Sequence, residues 1–535
     1  MPPSPSRPLA TATAGMVVCP HYLASQAGLA MLKRGGHAVD AAIAMNAALG
    51  VVYPHMTGLG GDGLGLIYEA ATGQVHGLNG SGRAGQHITP DRFAELGLTR
   101  IPQRGPQAVI TVPGSVAAWQ LAHQRFGRLP WQDLMQPAIA LATEGYPASA
   151  SQVVWTKRNL DSFARHAPQG NPFLANGQPP TVGQTLTNPA LATSLKHLAQ
   201  AGAEAFYQGS ITQAIVSHLK NLGGWLTLED FAQPAADWVA PIATTYRGYR
   251  VSQLPPNTQG FTVLQMLNLL EPFDLAALGH GTADYYHLMA EITKLALADR
   301  ERWLCDPDFY PIPLETLISK AYADQRRALI SLTTAQPQVA SPLGGDTTYS
   351  AVIDAEGNVV SLLQSIYMDF GAAVVPPELG FALHNRGALF SLDPAHPNVL
   401  APGKRSFHTL IPALVQHSNG QPYLALGTMG GEGQPQTQLA LLTRVLDFGF
   451  DPQTAIDLPR WLWGRTWGDA ETRLTLEGRI PQDVRQALAD RGHSIQTAPA
   501  WTDRMGHAHL LRIDPHTRQI QGGSDPRSDG AALGL

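Results

Sequence analysis

A threonine pair stands where a glycine-rich stretch gives way to a β-patterned one, Gly344-Gly345-Asp346-Thr347-Thr348-Tyr349-Ser350-Ala351-Val352-Ile353. A threonine hydroxyl is a poor nucleophile unless a base lies within hydrogen-bond reach. At a chain terminus threonine carries its own base, because an α-amino group titrates near pH ~7.7–8.0 and can take the hydroxyl proton. Thr347 would gain that amine if the peptide bond after Asp346 were broken. The Asp346 carboxylate lies beside that bond, and Gly344 and Gly345 let the backbone before it take strained geometries. On these residues alone the plainer reading, a loop entering a strand, stands first, and the chemistry needs support from the rest of the chain.

The surrounding pattern says what would position Thr347. From there Thr, Tyr, Val and Ile dominate, 354–358 reads as a turn and 359–366 as a returning strand, so Thr347 opens a predicted hairpin. Upstream, apolar spacing predicts a helix over 21–34, ended by Gly35-Gly36, and a second over 38–49 so uniformly small and apolar that it must be buried. Gly58-Leu59-Gly60-Gly61-Asp62-Gly63 matches G-x-G-x-x-G. It follows a helix and opens an apolar strand, however, the reverse of a dinucleotide loop, so its glycines read as sites of close packing. A strand-to-helix junction is expected at 110–119, helices over 134–143, 261–270, 285–300, 436–448 and 481–490, mainly helix over 150–240, and a strand over 246–254. No repeat and no low-complexity linker divides the chain, which predicts one intertwined α+β body.

Composition narrows the partners. A chain of 535 residues, 44% hydrophobic and 14% charged, has material for a large core. Its 36 basic and 41 acidic residues give a net charge of -5, which argues against a nucleic-acid or anionic-membrane surface. Cys19 and Cys305 are too few for a disulfide framework or a cysteine metal cluster. His55, His384 and His408 lack metal-ligand spacing, so neither metal nor cofactor is expected, and His55 and His384 read as packing or hydrogen-bonding residues. No run of about eighteen apolar residues occurs and the first residues lack a secretory pattern, so the expected location is cytoplasmic.

Further stretches share a pattern with the threonine pair: Gly82-Arg83-Ala84, Val112-Pro113-Gly114-Ser115, Gly127-Arg128-Leu129-Pro130-Trp131, Tyr246-Arg247-Gly248-Tyr249, Asn385, Gly430-Gly431 and Ser524-Asp525-Pro526-Arg527-Ser528, with residues 24–63, 223–230, 294–300 and 402–405. Over most of its length the chain resembles the γ-glutamyltransferase family of N-terminal-nucleophile hydrolases. The resemblance implies a four-layer α-β-β-α sandwich, made as a precursor that cuts itself between Asp346 and Thr347. Fragments 1–346 and 347–535 would stay together as a heterodimer, with a further dimer of such units left open. It implies that Thr347 forms an acyl-enzyme resolved by water or an amine, and that the N–H groups at Gly430 and Gly431 form an oxyanion hole. Thr348 would support the nucleophile, and Ser365 keeps a hydroxyl where the family has a threonine.

The departures bear on substrate. Members that take a glutamyl group hold its ammonium with two acceptors, where this chain has Arg386 and Leu389; neither residue can accept a hydrogen bond from an ammonium. Paired serines that contact the carboxylate align with His408 and Thr409, and an asparagine near the nucleophile aligns with Tyr367. Arg83, the family's other carboxylate clamp, is retained, and its planar fork suits an anionic oxygen pair. The resemblance with these departures implies a small acyl amide bearing a carboxylate but no α-amino group, oxamate-like or glutaryl-like. An authentic glutathione hydrolase and γ-glutamyl transferase is the alternative, and an unprocessed, inactive carboxylate-binding relative is a third. Residues 391–404, with three prolines, read equally as a lid or as a plain surface loop. Trp461 and Trp463, near Arg460, read as core or fragment-contact aromatics rather than substrate stackers.

Overall fold

The computed structural model describes residues 6–168, 170–337, 345–464 and 471–535, so Gly344 lies outside the described residues. Fourteen strands build its two large sheets. Seven precede Thr347: β1 (Ala10–Ala12), β2 (Met16–Cys19), β3 (Asp62–Glu69), β4 (Gln74–Gly80), β5 (Asp237–Val239), β6 (Ile242–Tyr246) and β7 (Tyr249–Gln253). The others are β8 (Asp346–Ile353), β9 (Val359–Tyr367), β10 (Ala413–Gln416), β11 (Pro422–Thr428), β12 (Ala508–Ile513), β13 (Ile520–Ser524) and β14 (Ala531–Gly534). One sheet runs β1-β13-β12-β11-β10-β7-β6 and the other β14-β2-β8-β9-β3-β4-β5. Each sheet therefore takes strands from both sides of Thr347.

Strand periodicity sorts the side chains into layers. Along β2, Val17 and Cys19 join one core, while Met16 and Val18 join another. Along β8, Val352 goes to the first and Ala351 and Ile353 to the second. The second core also takes Leu414, Ala425 and Leu511 of the opposite sheet, so it is the seam between sheets. On the outer face of the β8 sheet lie the helices α1 (Tyr22–Lys33), α2 (Ala38–Val52) and α3 (Trp131–Glu144). On the far side of the other sheet, a third core joins Val251, Ala413 and Leu424 to α4 (Gly260–Leu270), α5 (Ala283–Trp303) and α6 (Gln434–Leu446). These three cores separate four layers, α-β-β-α. Every residue of α2 is buried, as its composition predicts, and a capping box closes its N-terminus, with the His37 N–H donating to Asp40 at 2.9 Å.

Two predicted elements differ. The strand expected over 246–254 is the hairpin of β6 and β7, because Arg247 (φ 50°) and Gly248 (φ 82°) both take the left-handed conformation of a tight two-residue turn. At 110–119 the expected strand reduces to a single bridge between Ala84 and Thr111, since Pro113 has no N–H to extend a ladder, and helix begins at Ser115. Among the described residues no helix is long and apolar enough to cross a membrane.

Candidate active site around Thr347

Strand β8 opens at Asp346, and its pairing with β9 slips there. Thr348 faces Gln364 but Asp346 faces Tyr367, so Ser365 and Ile366 together oppose Thr347. Such a bulge re-aims the side chains beside it. It ends at Tyr367, which holds φ at 74°, a conformation uncommon for a residue with a bulky side chain. Gly61 packs its backbone directly on the Ser365 carbonyl, where a side chain would collide, which is the close approach expected of that glycine run. Gly345 is needed for a similar reason. A Cβ there would lie 2.6 Å from the Tyr367 ring.

The bulge brings two hydroxyls to one carbonyl. Thr347 Oγ1 and Ser365 Oγ each donate to the Asp346 carbonyl oxygen at 2.6 Å. Ser365 Oγ in turn accepts from the Tyr367 N–H at 2.8 Å and from Arg386 Nη2 at 3.0 Å. Thr348 Oγ1 donates across the ladder to the Gln364 carbonyl at 3.0 Å, and the Gln364 side chain is held by Trp119 Nε1 at 3.0 Å. Asp346 and Thr347 are each 1% exposed. Burial, then the charges of Asp369 and Asp503, hold the Asp346 carboxyl well above the usual range, and neither of its oxygens has a hydrogen-bond partner among the described residues.

Arg386 lies behind this hairpin. It is 1% exposed, its guanidinium sits 4.7 Å from the Tyr367 ring centroid, and Nη1 donates to Thr409 Oγ1 at 3.0 Å. Its counter-charge is Asp62, 3.6 Å from Nε. Burial alone would raise the Asp62 carboxyl, but His384 and His408 outweigh it and hold that group below the carboxylate range. His408 accepts the Leu410 N–H at Nδ1 (3.3 Å), so Nε2–H donates to Asp62 at 3.1 Å. Burial and then Arg386 push the His408 imidazole down to about 3, which leaves it neutral.

In front of Tyr367 opens a cleft of about 260 Å³, lined among others by Arg300, Leu389, Phe390, His396, Phe407 and Glu432. Glu432 follows Gly430 (φ 132°) and Gly431 (φ 51°), and both glycines are left-handed. Among the described residues, the N–H groups of Gly430 and Gly431 have no protein acceptor. Gln259 fixes this turn, donating to the Gly431 carbonyl at 3.0 Å and the Thr409 carbonyl at 2.9 Å while accepting from Arg300 at 2.8 Å. Burial pushes the Glu432 carboxyl up to about 7, and among the described residues no other hydrogen-bonds it.

The comparison with known proteins now has a geometry to meet. The gamma-glutamyltranspeptidase family model matches residues 24–535. The chain belongs to that family. The glutathione hydrolase-like YwrD proenzyme of Bacillus subtilis (strain 168) is 47% identical over 523 residues, covering 98% of this chain and 99% of that one. The oxamate amidohydrolase proenzyme of Klebsiella pneumoniae subsp. pneumoniae is 39% identical over 528 residues, 98% of each. Among solved structures, the cephalosporin acylase from Bacillus halodurans superposes with a TM-score of 0.93 at 38% identity, over 100% of this chain and 98% of that one. The expected sandwich and the expected family thus both hold, and the chain is a hydrolase of the gamma-glutamyltranspeptidase family.

Against that family's pattern, the structure brings Asp346, Thr347, Thr348, Ser365 and Tyr367 together on one hairpin, with Arg386, His408 and Thr409 in one network behind it. Of the residues expected to hold substrate, Tyr367 lines the cleft. Arg386 does not turn to the surface, but Tyr367 lies over it and its donors reach Ser365 and Thr409. Arg83 lines a separate depression with Asp230 and Asp237 and pairs with Asp306 (3.6 Å) and Asp308 (3.3 Å). Ser391, His396 and Asn398, within the proline-containing segment, border the cleft. Trp461 and Trp463 are core, as expected. Sequence reasoning missed Asp62 and Glu432. The signal for Asp62 was an acid among glycines before an apolar strand, and for Glu432 an acid between glycines at the end of one. Among the described residues, His287, Glu291 and His493 are grouped closely enough to share a metal, but His287 and His493 bond each other at 2.8 Å and Glu291 binds Lys294 at 2.6 Å.

Proposed function

We propose that the chain is a precursor that cleaves itself between Asp346 and Thr347, and that the freed Thr347 then opens amide bonds of small carboxylate-bearing acyl compounds. The observation that carries this is the pair of hydroxyls on one carbonyl, 2.6 Å from Thr347 Oγ1 and 2.6 Å from Ser365 Oγ, at the predicted break. Cleavage gives Thr347 an amine beside its hydroxyl, the nucleophile and base of one residue. Fragments 1–346 and 347–535 stay interleaved, because each sheet draws strands from both. The word proenzyme in the names of both curated relatives supports the same reading.

In the processed enzyme, Thr347 Oγ1 attacks the substrate carbonyl and its amine takes the proton and passes it to the departing amine. The unused N–H groups of Gly430 and Gly431 receive the oxyanion, a contribution worth about 2.7–4 kcal/mol per donor in related chemistry. Water or a second amine then releases the acyl group. Leu389 on the cleft wall and Arg386 behind it offer no acceptor for an ammonium, and the Arg300 cation on the same wall is paired with Glu301. That favours an acyl group with a carboxylate and no α-amino group, in keeping with the oxamate of one relative's name.

Two measurements test the reading. A denaturing gel with fragment masses should give two chains meeting at Asp346 and Thr347, and Thr347→Ala should stay whole and inactive. Turnover of glutaryl and γ-glutamyl anilides by the processed enzyme should favour the glutaryl compound. A preference for the γ-glutamyl one makes the chain a glutathione hydrolase instead, and an intact active chain ends the proposal.

A further inference from the structure

The Ser365 hydroxyl is the most constrained polar group near the break. A serine hydroxyl has one hydrogen to give and two lone pairs. The Tyr367 N–H (2.8 Å) and Arg386 Nη2 (3.0 Å) donate to Ser365 Oγ, and an arginine can only donate. With both lone pairs taken, the hydrogen has one remaining direction, the Asp346 carbonyl oxygen at 2.6 Å. Arg386 is itself fixed by Thr409 Oγ1 at 3.0 Å, by the Tyr367 ring and by Asp62. A buried cation donating to a hydroxyl polarises it and makes it a stronger donor to its own acceptor.

From this geometry we infer that Arg386 is a positioning residue for self-cleavage, fixing and polarising the Ser365 hydroxyl so that it acts as the oxyanion donor when the Asp346 carbonyl is attacked. This rests on the precursor reading proposed above and assigns Arg386 a task before any substrate is bound. The step balances without a co-reactant other than water. Thr347 Oγ1 bonds to the Asp346 carbonyl carbon, and the negative charge that develops on the carbonyl oxygen is held by Ser365. The bond from that carbon to the Thr347 nitrogen then breaks, and the hydroxyl proton ends on the nitrogen. Water hydrolyses the resulting ester, leaving the Asp346 main-chain carboxyl, the Thr347 hydroxyl and a free amine.

The test is the rate at which freshly synthesised precursor splits, followed by pulse labelling in cell-free translation. Ser365→Ala removes the donor, and loss of one such donor costs about 10²–10³-fold. Arg386→Gln should slow splitting by about tenfold or more, with partial recovery in Arg386→Lys, which keeps a cationic donor. The deciding readout is the combination, because Ser365→Ala/Arg386→Gln should split no more slowly than Ser365→Ala alone. Since Arg386→Gln leaves Asp62 buried without its cation, Asp62→Asn/Arg386→Gln is measured beside it, and this neutral pair should fold to a soluble precursor and still split slowly. Effects that multiply in the Ser365 combination, or wild-type splitting in the neutral pair, overturn the inference. Cleavage of Thr347→Ala would instead overturn the precursor reading itself, so the two failures are distinct.

Discussion

Two groups of buried acids sit in the same sandwich and are handled in opposite ways. Asp525 and Glu477 are saturated. Asp525 accepts from Arg460 at 2.6 Å, from Arg527 at 3.0 Å and from the Ala508 N–H at 2.7 Å, while Glu477 accepts from Arg527 at 2.7 Å, from Arg479 at 2.6 Å and from the Arg460 N–H at 3.1 Å. Among the described residues, no other side chain or backbone group hydrogen-bonds the carboxyl oxygens of Asp346 or Glu432. The first pair, contributed by β13's end and the chain before it, ties segments of the C-terminal half together. The second flanks the hairpin and the cleft. Desolvating an acid without partners is costly, so a fold that supplies three donors to one acid and none to another marks where it tolerates that cost. Saturated groups hold the frame, and unsaturated ones sit at the hairpin and cleft where the proposed chemistry would take place.

The comparison is broken most severely through Arg527, which serves both Asp525 and Glu477. Arg527→Leu leaves two buried acids short of a cation, and such a loss costs about 3–5 kcal/mol. The expected outcome is a large drop in the urea midpoint of the processed enzyme, with kcat of the surviving folded fraction within about twofold of the parent. A variant of ordinary stability and low kcat would mean that the saturated network is also part of the reactive edge.

Gly430 offers the converse. At φ 132° it holds a conformation that side chains rarely adopt, and Gly430→Ala must turn its own N–H and that of Gly431. Loss of one oxyanion donor costs about 10²–10³-fold in kcat, and the effect on unfolding should be smaller than that of Arg527→Leu. Steady-state rates with the glutaryl anilide, set against a melting curve, read both. A stability loss without a rate loss would place these glycines in the frame.

Much of this was legible in the chain because it is local. The hairpin of β8 and β9, the buried helix α2 and the threonine at the strand's first turn follow from periodicity and turn residues within a few positions of one another. What escaped is set by distance. That β6 and β7 are two strands depends on left-handed backbone at Arg247, a residue with no special preference for it. Arg386 looked like a substrate cation, yet its direction is decided by Asp62, Ser365 and Thr409, which no spacing rule links to it. Arg83, read as a carboxylate clamp, meets Asp306 and Asp308 for the same reason. Glu432 was passed over because the two glycines before it had already explained the turn.

Glu432 gives the finest test of the contrast, because it is the unsaturated acid that lines the cleft. Burial raises its carboxyl to about 7, so it is mostly neutral below that pH and ionised above. Neutral, it can donate a hydrogen bond to a substrate carboxylate. Ionised, it repels one. KM for a carboxylate-bearing amide should therefore rise as pH passes upward through about 7, by about tenfold when roughly 1.4 kcal/mol of interaction is exchanged for repulsion. Glu432→Gln keeps a donor at all pH values and should flatten that rise while leaving KM below pH 6 near the parent. An uncharged amide should show little of the dependence with either enzyme. If KM for the carboxylate compound falls as pH rises, the acid is receiving a cation from the substrate, and the distinction between the two pairs of acids moves from reactivity to recognition of an ammonium.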